Sequence, residues 1–237
     1  MKLIHGVKPG RKVIEKLEDC FQETDIAGGE EWRKLWTLYR SETKEQAIIR
    51  KVKVDALEHQ TKYLICTQSV LYALCLHLCI GDKEVWKSGG HIHAGMGGFG
   101  SGKIGGTQMC GALIGARMAI GLALSRQDMY APGAPSSPGP SDFSAAAPLV
   151  FEITKKFEDH FGSSLCYEIQ ENYFGRHWFM AEDFEDPVQL EMAKTGEMYR
   201  IVSTYAAKVC EWTAGETAAI ILREREKRGI PTPMALR

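Results

Sequence analysis

The sequence predicts a mainly α-helical protein, a compact multi-helix bundle with a glycine-rich loop and irregular insertions. Three observations lead there. Apolar residues recur at three- and four-residue spacing through most of the chain. Almost no segment alternates at period two, as a half-buried strand would. Glycine and proline gather in a few breaks between the periodic runs. With 237 residues, 44% hydrophobic and 25% charged, the chain is long enough for one substantial core and has the composition of an ordinary globular protein.

The elements follow in order. Residues 10–21 place Val13, Ile14, Leu17 and Phe21 on one stripe, and after the "DIAGGE" break Trp32, Leu35, Trp36 and Tyr39 form another. Residues 43–60 read as a charged helix; "IIRKVKV" imitates a strand, but its flanks are strong helix formers. Residues 62–79 form a more apolar helix ended by Gly81. The glycine-rich stretch comes next, with His91 and His93 on one side of an extended segment. A helix over about 108–126 is expected to start near a Gly106 or Thr107 cap, with Gly111, Gly115 and Gly121 permitting close approach of a neighbour.

"APGAPSSPGP", residues 131–140, is a loop by composition. A helix from Ser141 or Asp142 to Phe161 is stopped by Gly162, and residues 171–190 read as an aromatic loop or short turns. A long helix over about 196–228 closes the pattern before Gly229 and two prolines.

Several function classes lose support. Lysine plus arginine number 29 against 30 acids, a formal charge of -1, so no polyanion-binding surface and no nucleic-acid partner is indicated. "REREKRG" alternates in sign and reads as a solvated helix end. The apolar runs near Tyr63–Cys79 and Met109–Leu124 are broken by polar residues, glycines or an arginine, which argues against membrane spans. The charged N-terminal stretch lacks the apolar core of an export signal, so the expected compartment is cytoplasmic. There, the odd set of seven cysteines is not expected to form a static disulfide framework.

"GMGGFGSGKIGGT" is not a P-loop, because Ile104 and Gly105 follow its lysine, and "GMGGFG" lacks the strand–turn–helix setting of a dinucleotide fingerprint. Clustered glycines can still expose N–H groups to an anion, or simply let backbone pack on backbone. His91 and His93 suit metal ligation or proton handling, without a third close ligand. Cys110 is the best single candidate, since a first helical turn favours thiolate over thiol. Cys75 and Cys79 share a helix face and read as small core hydrophobes; Cys20 is ambiguous. No CxxC, CxxCH or serine elbow is present.

Taken in order, four cysteines resemble the signature of the redox-active family named for its pattern C–GCAxxG–C–C. Cys66 in "CTQSVL" resembles its first cysteine, "CGALIGA" from Cys110 its central motif, and "FGSSLC" places Cys166 as its third. Cys210 in the last helix is the fourth, and "GGFGSGKIGGTQMC" resembles the glycine-rich approach to the central cysteine. The resemblance covers about residues 62–212 and implies a helical protein whose four cysteines meet at one redox or metal site. It divides the chain into a helical extension (1–61), a four-cysteine domain (62–212) and a helix end with tail (213–237), together one compact unit. The extension, the "HIH" element, the proline-rich loop and the aromatic stretch 171–186 depart from short members of the family.

The resemblance implies two versions of the site. In the first, Cys66, Cys110, Cys166 and Cys210 bind an iron–sulfur cluster; Gly97, Gly98, Gly100 and Gly102 supply N–H groups to its sulfides, and His91 or His93 couples proton movement. In the second, Cys110 attacks a disulfide or electrophile and another cysteine resolves it. A helical binding protein packed as a homodimer is the third alternative. An electron-transfer partner and a small-molecule substrate both suit the redox versions, and enzymatic turnover is left open.

Overall fold

In the computed structural model the described residues are 42–95, 109–124, 146–176 and 185–230. Among them the protein is mainly helical, with eight helices and no sheet. They are α1 (Lys44–Tyr63), α2 (Cys66–Leu78), α3 (Lys83–Gly95), α4 (Gly111–Leu124), α5 (Ala147–Phe161), α6 (Cys166–Phe174), α7 (Pro187–Lys194) and α8 (Glu197–Lys227). The expected helices at 10–21 and 32–39, the proline-rich loop and Cys20 lie outside the described residues. Contacts divide the chain into Met1–Ala47 and Ile48–Arg237. Of the first unit, residues 42–47 are described, and they begin α1 with a reciprocal capping box. Thr43 N donates to Gln46 Oε1 at 2.8 Å, and Gln46 N donates to Thr43 Oγ1 at 3.2 Å.

The second unit is organised around α2, whose buried face includes Val70, Leu71, Leu74 and Leu78. Helices α3, α4 and α8 pack on it, and α5 packs on α4 and α8. The turn between α1 and α2 is only Leu64 and Ile65, with Leu64 at φ 58°. Such a left-handed leucine costs about 1–2 kcal/mol, so the contacts on either side must hold it. They include Ser69 Oγ, 3.0 Å from His59 Nδ1 and 3.1 Å from Gln60 Oε1, and His77 Nε2, 2.5 Å from Asp55 Oδ2. At the other end of α2, Cys79 rather than Gly81 turns the chain, at φ 50°, and buried Arg225 donates Nη1 to Leu78 O at 2.8 Å. Cys75 is a buried core residue, as read, whereas Cys79 is exposed.

Two short helices stand where irregular structure was expected. Asp186 caps α7 by accepting from Val188 N (2.8 Å) and Gln189 N (3.3 Å), with Pro187 in the first turn. Helix α6 ends at Gly175, φ 72°, as α5 ends at Gly162, φ 81°. The "HIH" segment is also helical rather than extended, being the end of α3. Helix α3 tolerates Gly89 because a Cβ there would lie 3.2 Å from Gln68 Cα on α2. The long last helix is confirmed as α8.

The glycines of α4 do not act alike. A Cβ on Gly115 would stand 2.6 Å from the Thr67 carbonyl oxygen, a backbone atom of α2, whereas one on Gly121 would meet nothing within 4 Å. The first is a packing requirement; the second is not, contrary to the uniform role expected for the three. Gly115→Ala is therefore expected to destabilise the protein by about 1–3 kcal/mol through overpacking. Gly121→Ala is expected to stabilise it by about 0.5–1 kcal/mol through helix propensity. Urea unfolding of the two variants measures both signs.

Candidate redox site

The four cysteines of the sequence pattern are brought together from four helices. Cys66 is the first residue of α2, after Ile65 at φ -121°. Cys166 is the first residue of α6, after the extended Leu165. Cys110 precedes α4, and its carbonyl accepts from Ile114 N at 3.1 Å, which makes it the N-cap. Cys210 faces them from the middle of α8, with its thiol 3.8 Å from Cys66 O.

One local pairing accounts for much of this arrangement. Met109 and Leu165 form an isolated antiparallel bridge, and Cys110 N donates to Ser164 O at 2.7 Å. The bridge lays the entrance of α4 beside the entrance of α6, and brings the thiols of Cys110 and Cys166 into interaction. On the opposite side, the thiols of Cys66 and Cys210 interact in the same way, and the Cys210 thiol donates to the Cys66 carbonyl. Cys66 lies in electrostatic reach of both Cys166 and Cys110, so the two pairs share one site. Cys66, Cys110 and Cys210 are 7%, 6% and 0% exposed; Cys166 is the more open member. None of the four is in a disulfide.

Three helix N-termini thus open on the same thiols, and their caps are Ile65, Cys110 and Leu165. Neither Ile65 nor Leu165 offers a side-chain cap, so first-turn N–H groups remain for the sulfurs. The Ala112 N–H near the Cys110 sulfur and the N–H of Cys66 itself each favour the thiolate. Those influences are outweighed. Hydrogen bonding with Cys166, then burial, push the Cys110 thiol well above its ordinary range; hydrogen bonding with Cys210, then burial, do the same for Cys66. The thiolate character expected of Cys110 from its helix position is therefore reversed by its surroundings.

The two histidines separate. Two residues apart on a helix they point to different sides, and His91 is exposed. His93 turns inward, with Nδ1 3.4 Å from Thr67 Oγ1 and burial lowering its pKa, so it is neutral at pH 7. A Cβ on Gly111 would lie 2.9 Å from His93 Nδ1 and 3.2 Å from Cys66 Cβ, which places the imidazole beside the cysteines. Gly97, Gly98, Gly100 and Gly102 lie outside the described residues.

Sequence reading missed two members of the site. Buried Gln170, one turn along α6, donates Nε2 to Cys166 Sγ at 3.4 Å. Tyr205 of α8 is 8% exposed and lies in electrostatic reach of Cys110, Cys166 and Cys66. The i,i+4 spacing from Cys166 could have found Gln170, whereas no spacing rule singles out Tyr205. Among the described residues, no group of three or more His, Cys, Asp or Glu side chains is arranged about a single metal ion. No described helix is long and apolar enough to cross a membrane.

A helical protein with four convergent thiols under three helix N-termini belongs to the class of cysteine-based redox proteins. Residues 64–223 match the family model described as "Putative redox-active protein (C_GCAxxG_C_C)", and the chain belongs to that family. The match reaches slightly beyond the stretch that carries the sequence resemblance. No curated protein and no solved structure matches the chain.

The raised thiols carry a pH dependence. The folded state binds the protons of Cys66 and Cys110 more tightly than the unfolded state does. Their contribution to stability is complete below the unfolded thiol value, about 8.5, and is lost as pH rises toward the folded values. Thermal melting of the reduced, metal-free protein is expected to show a falling alkaline limb above about pH 8.5. The Cys66→Ala/Cys110→Ala double variant is expected to flatten that limb.

Proposed function

We propose that the protein is a redox protein that holds an iron–sulfur cluster through Cys66, Cys110, Cys166 and Cys210. The observation that carries this reading is the meeting of four thiols beneath three uncapped or thiol-capped helix N-termini. Four soft thiolates are the ligand set such clusters use, and a cluster with four thiolates is an anion, which helix N-termini favour. The donor set therefore fits the group. A bound cluster supplies one-electron transfer.

The chain's own residues divide the remaining work. Thiols held protonated by burial and mutual hydrogen bonding are poor nucleophiles, and metal binding displaces their protons. Gln170 Nε2 and the Ala112 N–H orient sulfurs at Cys166 and Cys110. Neutral His93 is placed to accept a proton when the site gains negative charge. Burial of three of the four cysteines keeps water from the sulfurs. An electron-transfer partner, a cytoplasmic setting and a homodimer belong to the same proposal.

One observation favours a second reading. The thiols interact as two pairs, Cys66 with Cys210 and Cys110 with Cys166, which supports dithiol chemistry. Two thiols would give one disulfide, two protons and two electrons to a disulfide or quinone acceptor.

Anaerobic purification, iron and acid-labile sulfide analysis and a visible spectrum of the same sample decide between them. Stoichiometric iron and sulfide with broad visible absorption is expected, lost in Cys110→Ala and kept in Cys75→Ala, whose buried thiol, pushed up to about 12, is a core residue. A colourless, iron-free protein that folds would overturn the cluster reading. Loss of two titratable thiols on oxidation, abolished by Cys166→Ala, would then favour the dithiol.

A further inference from the structure

We infer that the Tyr205 hydroxyl is the hydrogen-bond donor to the anionic sulfur group formed at the four-cysteine site, and that it raises the reduction potential of that site. The inference rests on the reading of those cysteines as a redox centre. It begins from a polar atom without a partner: Tyr205 Oη is fully enclosed and makes no hydrogen bond among the described residues. Burying a hydroxyl in that state is unfavourable, and such groups in native proteins call for a reason. Phenylalanine would fill the same space without the penalty.

The position of the ring is set by aromatic contacts rather than by its hydroxyl. Tyr173 packs on it with centroids 4.5 Å apart at 39°, and Phe174 approaches edge-on at 5.5 Å and 71°. Both come from α6, the helix that begins with Cys166. The same short helix therefore carries one thiol of the site and packs on the phenol ring, which lies in electrostatic reach of three of them. The phenol is an O–H donor, and thiolate and sulfide sulfurs are acceptors. Burial first, and then any negative charge that forms on Cys110, Cys166 and Cys66, raise its pKa far above the ordinary range, so it stays a donor while the site is anionic.

A donor that bonds the sulfur group stabilises the more negative, reduced state more than the oxidised one, and hydrogen bonds to sulfur are among the determinants of such potentials. The test is Tyr205→Phe in the full chain, with two readouts besides turnover. In the reduced, metal-free protein the variant is expected to melt at the same temperature as wild type or higher, since it removes an unpartnered hydroxyl. A lower melting temperature would reveal a protein partner and overturn the inference. After anaerobic loading with ferrous iron and sulfide, the variant is expected to hold wild-type iron with its midpoint moved to a more negative potential. An unchanged midpoint would overturn the inference while leaving the cluster reading intact. Failure of wild type to take up iron and sulfide would instead sink the cluster reading. With no anionic sulfur group formed, the phenol has no acceptor, and the Tyr205 inference falls with that reading.

Discussion

The close approach of α4 to α2 at Gly115 is the constraint on which the rest of the structure depends. Only a residue without a side chain lets the α4 backbone come this near the Thr67 carbonyl. Thr67 follows Cys66 directly, and Gly115 lies five residues after Cys110. Contact at that point therefore fixes the entrance of one helix beside the entrance of the other. Gly111 extends the same contact to Cys66 Cβ and His93. The Met109–Leu165 bridge then adds α6, and α8 closes the back with Cys210. Glycine in this family pattern thus acts chiefly by removing atoms, so that sulfurs from distant parts of the chain can meet.

Two opposed electrostatic influences then act on the sulfurs. Helix N-termini and the N–H groups of Cys66 and Ala112 favour negative charge. Burial and thiol–thiol hydrogen bonding disfavour it, and they win. The proposed cluster would have to supply positive charge and displace protons, and the helix ends would then add to the attraction once desolvation is offset. The same balance explains why position at a helix start was a misleading guide to Cys110. Helix position is local, whereas burial is decided by elements as far away as α6 and α8.

What could be read in advance follows the range of each interaction. The helices at 43–60, 62–79, 108–126 and 196–228 were legible because periodicity is a local property of a long run. The four cysteines stood out only through their resemblance to the family pattern that residues 64–223 match, whereas the stop at Gly162 was legible for the same local reason as the helices. Helix α3 was not, because Gly89 and Gly90 oppose helix locally and are accommodated only where α2 passes within reach. His91 and His93 were consequently assigned one side of a strand-like segment, when the helix sends only His93 inward. Helix α7 carried a readable signal in Asp186–Pro187, masked by the surrounding aromatic residues. Tyr205 carried none, since its role depends on α6 folding back over α8.

The site that results is asymmetric. Cys66, Cys110 and Cys210 are enclosed by the three longer core helices and the residues leading into them, whereas Cys166 stands at the start of a nine-residue helix. That helix also supplies Gln170 to the Cys166 sulfur and Tyr173 to Tyr205, and Tyr173 is 58% exposed on its outer side. Its few turns, ended by Gly175, bury only Ile169 and Gln170 among the described residues. Local stability scales with buried contacts, so α6 is the member of the site with the least to hold it in place. Three thiols therefore form the firmly held part of the centre, while Cys166 and the packing on Tyr205 both depend on α6.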